Sequence, residues 1–162
     1  MNSRARHKFF AALKCDGLRA CVRLQPRKDR HDQRLFGKIT LALVGIGATE
    51  PSRALASSGN VFSPREIKGL ADKGAVGDIC LRFFDAAGRQ VVTELNDRVI
   101  SVELDQLRAV RRVVGVAGGR RKTNALRGAL NGKLVNVLIT DLASAERLLT
   151  ENAQGKKAVK SR

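Results

Sequence analysis

Three near-continuous apolar runs, each ended by glycine or aspartate, set the limits on this fold. Ile39-Thr40-Leu41-Ala42-Leu43-Val44 stops at Gly45-Ile46-Gly47, Val113-Val114-Gly115-Val116 runs into Gly118-Gly119, and Leu134 to Thr140 ends at Asp141. Runs without polar alternation predict strands buried on both faces, as in a parallel sheet. Helix signals lie between them. Ser63-Pro64-Arg65-Glu66 is a capping box with proline at the first helical position and predicts a helix from Pro64 to Asp72. A short helix is expected over Asp105–Val110, and a longer one from Arg121 to Leu130, ended by Asn131-Gly132. Asp141 is placed to cap a last helix running through Leu149. Ala75 to Phe84 reads as a further strand, which Asp85-Ala86-Ala87-Gly88 turns into a hairpin near Val91-Val92, and Val99–Val102 as a short one. The alternation predicts an α/β class: a layered, mainly parallel sheet flanked by helices.

The net charge of +16 suggests polyanion binding until its distribution is considered. Residues 1–36 carry ten Lys/Arg against three acids, and residues 153–162 four against none, which leaves seventeen against twelve for 37–152. Three parts are expected: a basic leader over 1–36, an α/β body over 37–152 and a basic tail over 153–162. The leader holds two apolar patches, Phe9 to Leu13 and Leu18 to Leu24, with poor helical periodicity. Six Phe and no Trp or Tyr leave few platforms for stacking bases. No apolar run approaches the roughly 20 residues of a membrane span and no signal peptide is evident, so a cytoplasmic protein without membrane contact is expected. Cys15, Cys21 and Cys80 lack CxxC spacing, and His7 and His31 both fall in the leader, so no metal site, disulfide framework or cofactor is expected. Cys80, inside an apolar run, is expected as a buried small hydrophobe.

Open parallel sheets bind ligands outside the carboxyl ends of their strands. Gly45–Gly47, Gly118–Gly119 and Asp141 should therefore converge on one edge. Asp78 would join them only if its strand starts late or bulges at Gly77. A carboxylate within an apolar run must find donors, either backbone N–H groups of the Gly45–Gly47 loop or a ligand hydroxyl. Arg120, Arg121 and Lys122 crowd one helix start, where the helix dipole disfavours cations. Such a cluster suits an anion, though a solvated basic corner is the alternative. It is not a nucleotide-hydrolysing P-loop, because two arginines separate Gly119 from Lys122. Asp141 reads as a helix cap rather than a ligand contact.

Leu41-Ala-Leu-Val-Gly-Ile-Gly-Ala48, Gly59-Asn-Val-Phe62, Gly74-Ala-Val-Gly-Asp-Ile79, Arg82-Phe-Phe-Asp85, Val114-Gly-Val-Ala-Gly-Gly119 with Lys122, and Asn136-Val-Leu-Ile-Thr-Asp141 occur in that order. From about Phe36 to Leu149 the chain resembles the C-terminal half of the effector domain of SorC/DeoR-type bacterial transcriptional regulators. The resemblance implies a fold related to ribose-phosphate isomerase and glucosamine-phosphate deaminase, and a phosphorylated sugar as effector. It implies that Asp78 contacts sugar hydroxyls, that Lys122 lies near the phosphate or the reactive carbon, and that Gly118 and Gly119 form the bend before it. Glu50 is carried over as a further acid after the GIGA motif.

Residues 1–35 match neither the helix-turn-helix nor the first effector half of such regulators, so a truncated product is expected that meets operator DNA only through a domain outside this chain. No catalytic residue is expected, since the α/β part holds no histidine to serve as base. A sugar-phosphate isomerase or deaminase is the enzymatic alternative. A remnant acting only in oligomerisation is the other, because an incomplete α/β domain exposes apolar faces; a homo-oligomer is expected.

Overall fold

The computed structural model describes residues 38–49, 63–98 and 101–150, and the statements below concern these. Strands β1 (Leu41–Gly45), β5 (Arg112–Val116) and β6 (Val137–Ile139) form a parallel sheet in the order β1-β5-β6. A second sheet is antiparallel, in the order β2-β3-β4, from Gly47–Ala48, Ala75–Ile79 and Arg82–Asp85. The parallel sheet flanked by helices agrees with the sequence reading. The separate antiparallel sheet was not foreseen.

Helix α1 (Pro64–Asp72) has the expected bounds and its capping box is formed. Ser63 Oγ accepts from Glu66 N at 3.3 Å, while the Glu66 carboxylate accepts from Ser63 N at 2.7 Å. Helix α2 is Leu104–Arg108. Helix α3 (Thr123–Asn131) is preceded by a 3₁₀ turn at Arg120–Lys122, and α4 covers residues 142–150. Of the expected strand Val99–Val102, residues 99 and 100 lie outside the described residues and 101–102 are not in a strand.

The expected strand Ala75–Phe84 is broken in two. Cys80 and Leu81 have φ of 53° and 63°, and Ile79 pairs with Arg82, so these two residues are the loop of a tight hairpin of the kind glycine and asparagine normally build. The expected return after Gly88 also exists: Phe84 bridges Gln90, and Val91 N donates to Phe83 O at 2.9 Å. The strand expected over Leu134–Thr140 shortens to three residues because Asn136 takes the place of strand backbone. Its Oδ1 accepts from Val113 N at 2.9 Å and its Nδ2 donates to Arg111 O at 3.0 Å. At the end of α3 the left-handed residue is Lys133 (φ 52°), not Gly132 (φ −79°). Gly132 is needed for another reason: its Cα passes so close to Gly88 that a Cβ on either residue would overlap the other backbone.

One apolar core joins the two sheets through α3. It contains Val44, Ile46 and Val113 from the parallel part, Ile79 and Phe84 from the hairpin, and Leu126 and Ala129 from α3. A smaller core under α1 gathers Leu70, Ala75, Phe83, Val91 and Leu95.

Candidate functional site

Because β1, β5 and β6 are parallel, their carboxyl ends share one edge, and the three segments expected to converge do so. Ala117 N donates to Ile139 O at 3.1 Å and Ile46 N to Val116 O at 3.4 Å, which locks the strand exits side by side. Gly119 N donates to Asp141 Oδ2 at 2.7 Å and to Ser144 Oγ at 3.0 Å. Asp141 also accepts from Ser144 N at 2.9 Å, and so caps α4 as the sequence indicated. These donors hold its carboxyl at a pKa of about 2, with the Ser144 hydroxyl the strongest contributor. At the bend that the resemblance places before Lys122, one backbone donor is engaged within the protein. The Asp141 carboxylate already occupies the Gly119 N–H, and a Cβ on Gly118 would overlap that carboxylate.

Asp78 reaches this edge from the second sheet. Ile46 alone separates the end of β1 from β2, and Gly47 pairs with Asp78. The register of β3 shifts between Ala75 and Gly77, the irregularity that a carboxylate in this run required. The Asp78 carboxylate lies against the Gly47 Cα, where any Cβ would overlap Oδ1. Its Oδ2 accepts from Leu81 N at 3.0 Å, so the donor comes from its own hairpin turn and not from the Gly45–Gly47 loop.

Burial raises the pKa of Asp78, while the Leu81 N–H and the charge of Lys122 oppose the rise. The field of Lys122 is felt there because β2 packs against both the 3₁₀ turn that carries this lysine and α3. Gly77 sets the approach, since a Cβ there would stand 2.5 Å from Ala125 Cβ and 2.6 Å from Gly47 O. Asp78, Lys122, Gly118 and Gly119 thus gather at one edge; Glu50 lies outside the described residues. Arg120 and Arg121 are exposed and Lys122 half-buried, and the first turn of α3 contains no acid. Cys80 is half-buried in the turn rather than within a strand, and burial pushes its thiol pKa up.

Two residues named in the sequence have roles that sequence reasoning missed. Gly47 makes room for Asp78, a role visible only once the two are paired. Arg82 is buried, 2.7 Å from Glu103 Oε1, and donates to Asn96 O at 2.9 Å. It thereby ties the hairpin to segments 94–98 and 101–103; an arginine preceding two phenylalanines gives no signal of such burial. Among the described residues no group of three or more His, Cys, Asp or Glu could hold a metal ion.

Residues 30–150 match the family described as "Putative sugar-binding domain", and the chain belongs to it. It is 43% identical over 135 residues to the deoxyribonucleoside regulator of Bacillus subtilis, covering 82% of this chain and 42% of that protein. The full-length sorbitol operon regulator SorC from Klebsiella pneumoniae superposes with a TM-score of 0.69 at 33% identity, over 79% of this chain and 41% of that one. A DeoR family transcriptional regulator from Listeria monocytogenes gives 0.70 at 30% identity, over 76% and 50%. The chain spans less than half the length of the curated relatives it matches. It carries a sugar-binding domain of the SorC/DeoR regulator type.

Proposed function

We propose that this domain binds a phosphorylated sugar as the effector of a transcriptional regulator, without turning it over. The observation that carries this reading is the juxtaposition at the sheet edge: a carboxylate with a raised pKa, one oxygen held by its own turn, within the field of a lysine at a helix start. Asp78 accepts a sugar hydroxyl with its remaining oxygen capacity. Lys122 meets the phosphate or the reactive carbon, assisted by the dipole of α3. Gly118 and Gly119 form the bend beside the effector, with the Gly119 N–H held by Asp141. Glu50, which follows Gly47-Ala48-Thr49 in sequence, is proposed from the resemblance alone as a further acid for the effector. The relatives are named as regulators, which favours sensing over catalysis. Operator DNA is met through another domain, in a cytoplasmic homo-oligomer; among the described residues no helix is long and apolar enough to cross a membrane.

The test is calorimetric titration of sugar phosphates and their unphosphorylated counterparts into the wild type, Lys122→Ala and Asp78→Asn. Loss of a charge-assisted contact worth about 1.5–3 kcal/mol should weaken phosphosugar binding roughly ten- to hundredfold in Lys122→Ala. Asp78→Asn should weaken phosphorylated and unphosphorylated sugars alike. Equal binding by all three proteins would place the site elsewhere, and turnover of ribose 5-phosphate or glucosamine 6-phosphate would replace sensing by catalysis.

A further inference from the structure

Strands β3 and β4 turn on Cys80 and Leu81, with φ of 53° and 63°, the pair of positive values that a type I′ turn requires. A side chain disfavours that backbone, because Cβ crowds the carbonyl that follows, so neighbouring structure must hold the turn. The peptide joining the two residues is held at both ends. Its Leu81 N–H donates to Asp78 Oδ2 at 3.0 Å, and its Cys80 carbonyl accepts from Ser101 Oγ at 2.7 Å. In a planar trans peptide the N–H and C=O point to opposite sides, so fixing the carbonyl fixes the direction of the N–H. Ser101 is buried, and an alternative acceptor for its hydroxyl, Val102 O, is 3.4 Å away. The Arg82–Glu103 pair, at 2.7 Å, ties the segment that carries Ser101 to the hairpin.

We propose that Ser101 is a positioning residue of the effector site: by holding the Cys80 carbonyl it aims the Leu81 N–H at Asp78 and keeps that carboxylate oriented to receive a sugar hydroxyl. The inference rests on the reading of Asp78 given above. The Ser101 hydroxyl, the 80–81 peptide and the carboxylate form one polarised chain, in which donation to the carbonyl strengthens the N–H as a donor. A flip of this peptide gives the type II′ arrangement, in which only Cys80 keeps a positive φ. That flip would turn the N–H away from Asp78 and the carbonyl away from Ser101 together. The Leu81 N–H lowers the pKa of Asp78 against the effect of burial. Losing it favours the protonated acid, which presents a donor where the effector hydroxyl needs an acceptor.

The experiment compares the full chain with its Ser101→Ala and Ser101→Thr variants; Ser101→Cys, a weak donor of similar shape, replaces the alanine variant should that fail to fold. NMR of the ligand-free proteins reads the Leu81 amide proton shift and the Asp78 carboxyl titration, and calorimetry reads the affinity for ribose 5-phosphate. Lys122 and Cys80 also face Asp78. The lysine is untouched by these substitutions, and the thiol, its pKa pushed up by burial, stays neutral across the carboxyl range. In Ser101→Ala the Leu81 amide proton should move upfield and Asp78 should titrate at higher pH than in the wild type. Affinity should fall roughly two- to tenfold, as for one lost hydrogen bond. Ser101→Thr should keep all three near the wild type. Leu81 and Asp78 signals unmoved in Ser101→Ala would overturn the proposal, even in a less stable variant. Moved signals with an unchanged affinity would overturn it as well. A wild type that binds no phosphosugar would fail the effector reading instead, and the Leu81 and Asp78 signals alone would then decide what Ser101 positions.

Discussion

Gly77→Ala tests the packing that brings Asp78 and Lys122 to one edge. The added methyl would lie 2.5 Å from Ala125 Cβ, 3.1 Å from Ala125 Cα and 2.6 Å from Gly47 O. Ordinary contact begins near 3.4 Å, so α3 or β2 must retreat by about 1 Å in a core packed to crystal-like density. Overpacking of this kind costs about 1–3 kcal/mol. With a urea dependence of ~2 kcal/mol per molar, the midpoint should fall by about 0.5–1.5 M. Ala125→Gly opens space against the new methyl but loses about 1 kcal/mol of helix propensity. The double variant should therefore be more stable than the sum of the two single effects implies, with a coupling of about 0.5–3 kcal/mol. Full recovery is not expected, because Gly47 O remains in the way. Urea denaturation of the four proteins measures this, and a Gly77→Ala variant as stable as the wild type would refute the close approach of β3, β2 and α3.

Two further outcomes follow from charge and backbone geometry. The raised pKa of Asp78 means its contribution to stability is fully present below the ordinary carboxylate value of 3.8 and is lost as pH rises through its folded value. Asp141, held near 2, behaves oppositely: its contribution is present above 3.8 and disappears as pH falls toward 2. Melting temperatures between pH 2 and 8 should show Asp78→Asn gaining most at neutral pH and Asp141→Asn losing most there; a parallel response of the two variants would contradict these opposed environments. Leu81→Gly relieves a left-handed residue, worth about 1–2 kcal/mol, against about 0.5–1 kcal/mol of added chain entropy. It should stabilise by between zero and about 1.5 kcal/mol in equilibrium unfolding, and a net loss would show that the Leu81 side chain carries more of the turn than its backbone strains it.

The sequence by itself determined the elements whose signals are local. The Ser63–Glu66 capping box and the Asp141 cap depend on neighbours within a few residues and stand as expected, whereas the run Ile39–Val44 gives a strand at Leu41–Gly45 that is not buried on both faces, since Leu41 and Leu43 are exposed. The convergence at the sheet edge was also legible, because parallel strands must end together. Other features lay in pairings between distant segments. Nothing in Ala75–Phe84 marks Cys80-Leu81 as a turn, since both residues favour strand or core; the Asp78 carboxylate and the β2–β3 pairing select it. Occupation of the Gly119 N–H by Asp141 spans 22 residues, and the Gly88–Gly132 crossing joins two loops. Close approach, burial and the field of a remote lysine are properties of space and not of chain order. Tertiary structure therefore decided which of the candidate groups meet, and at what ionisation.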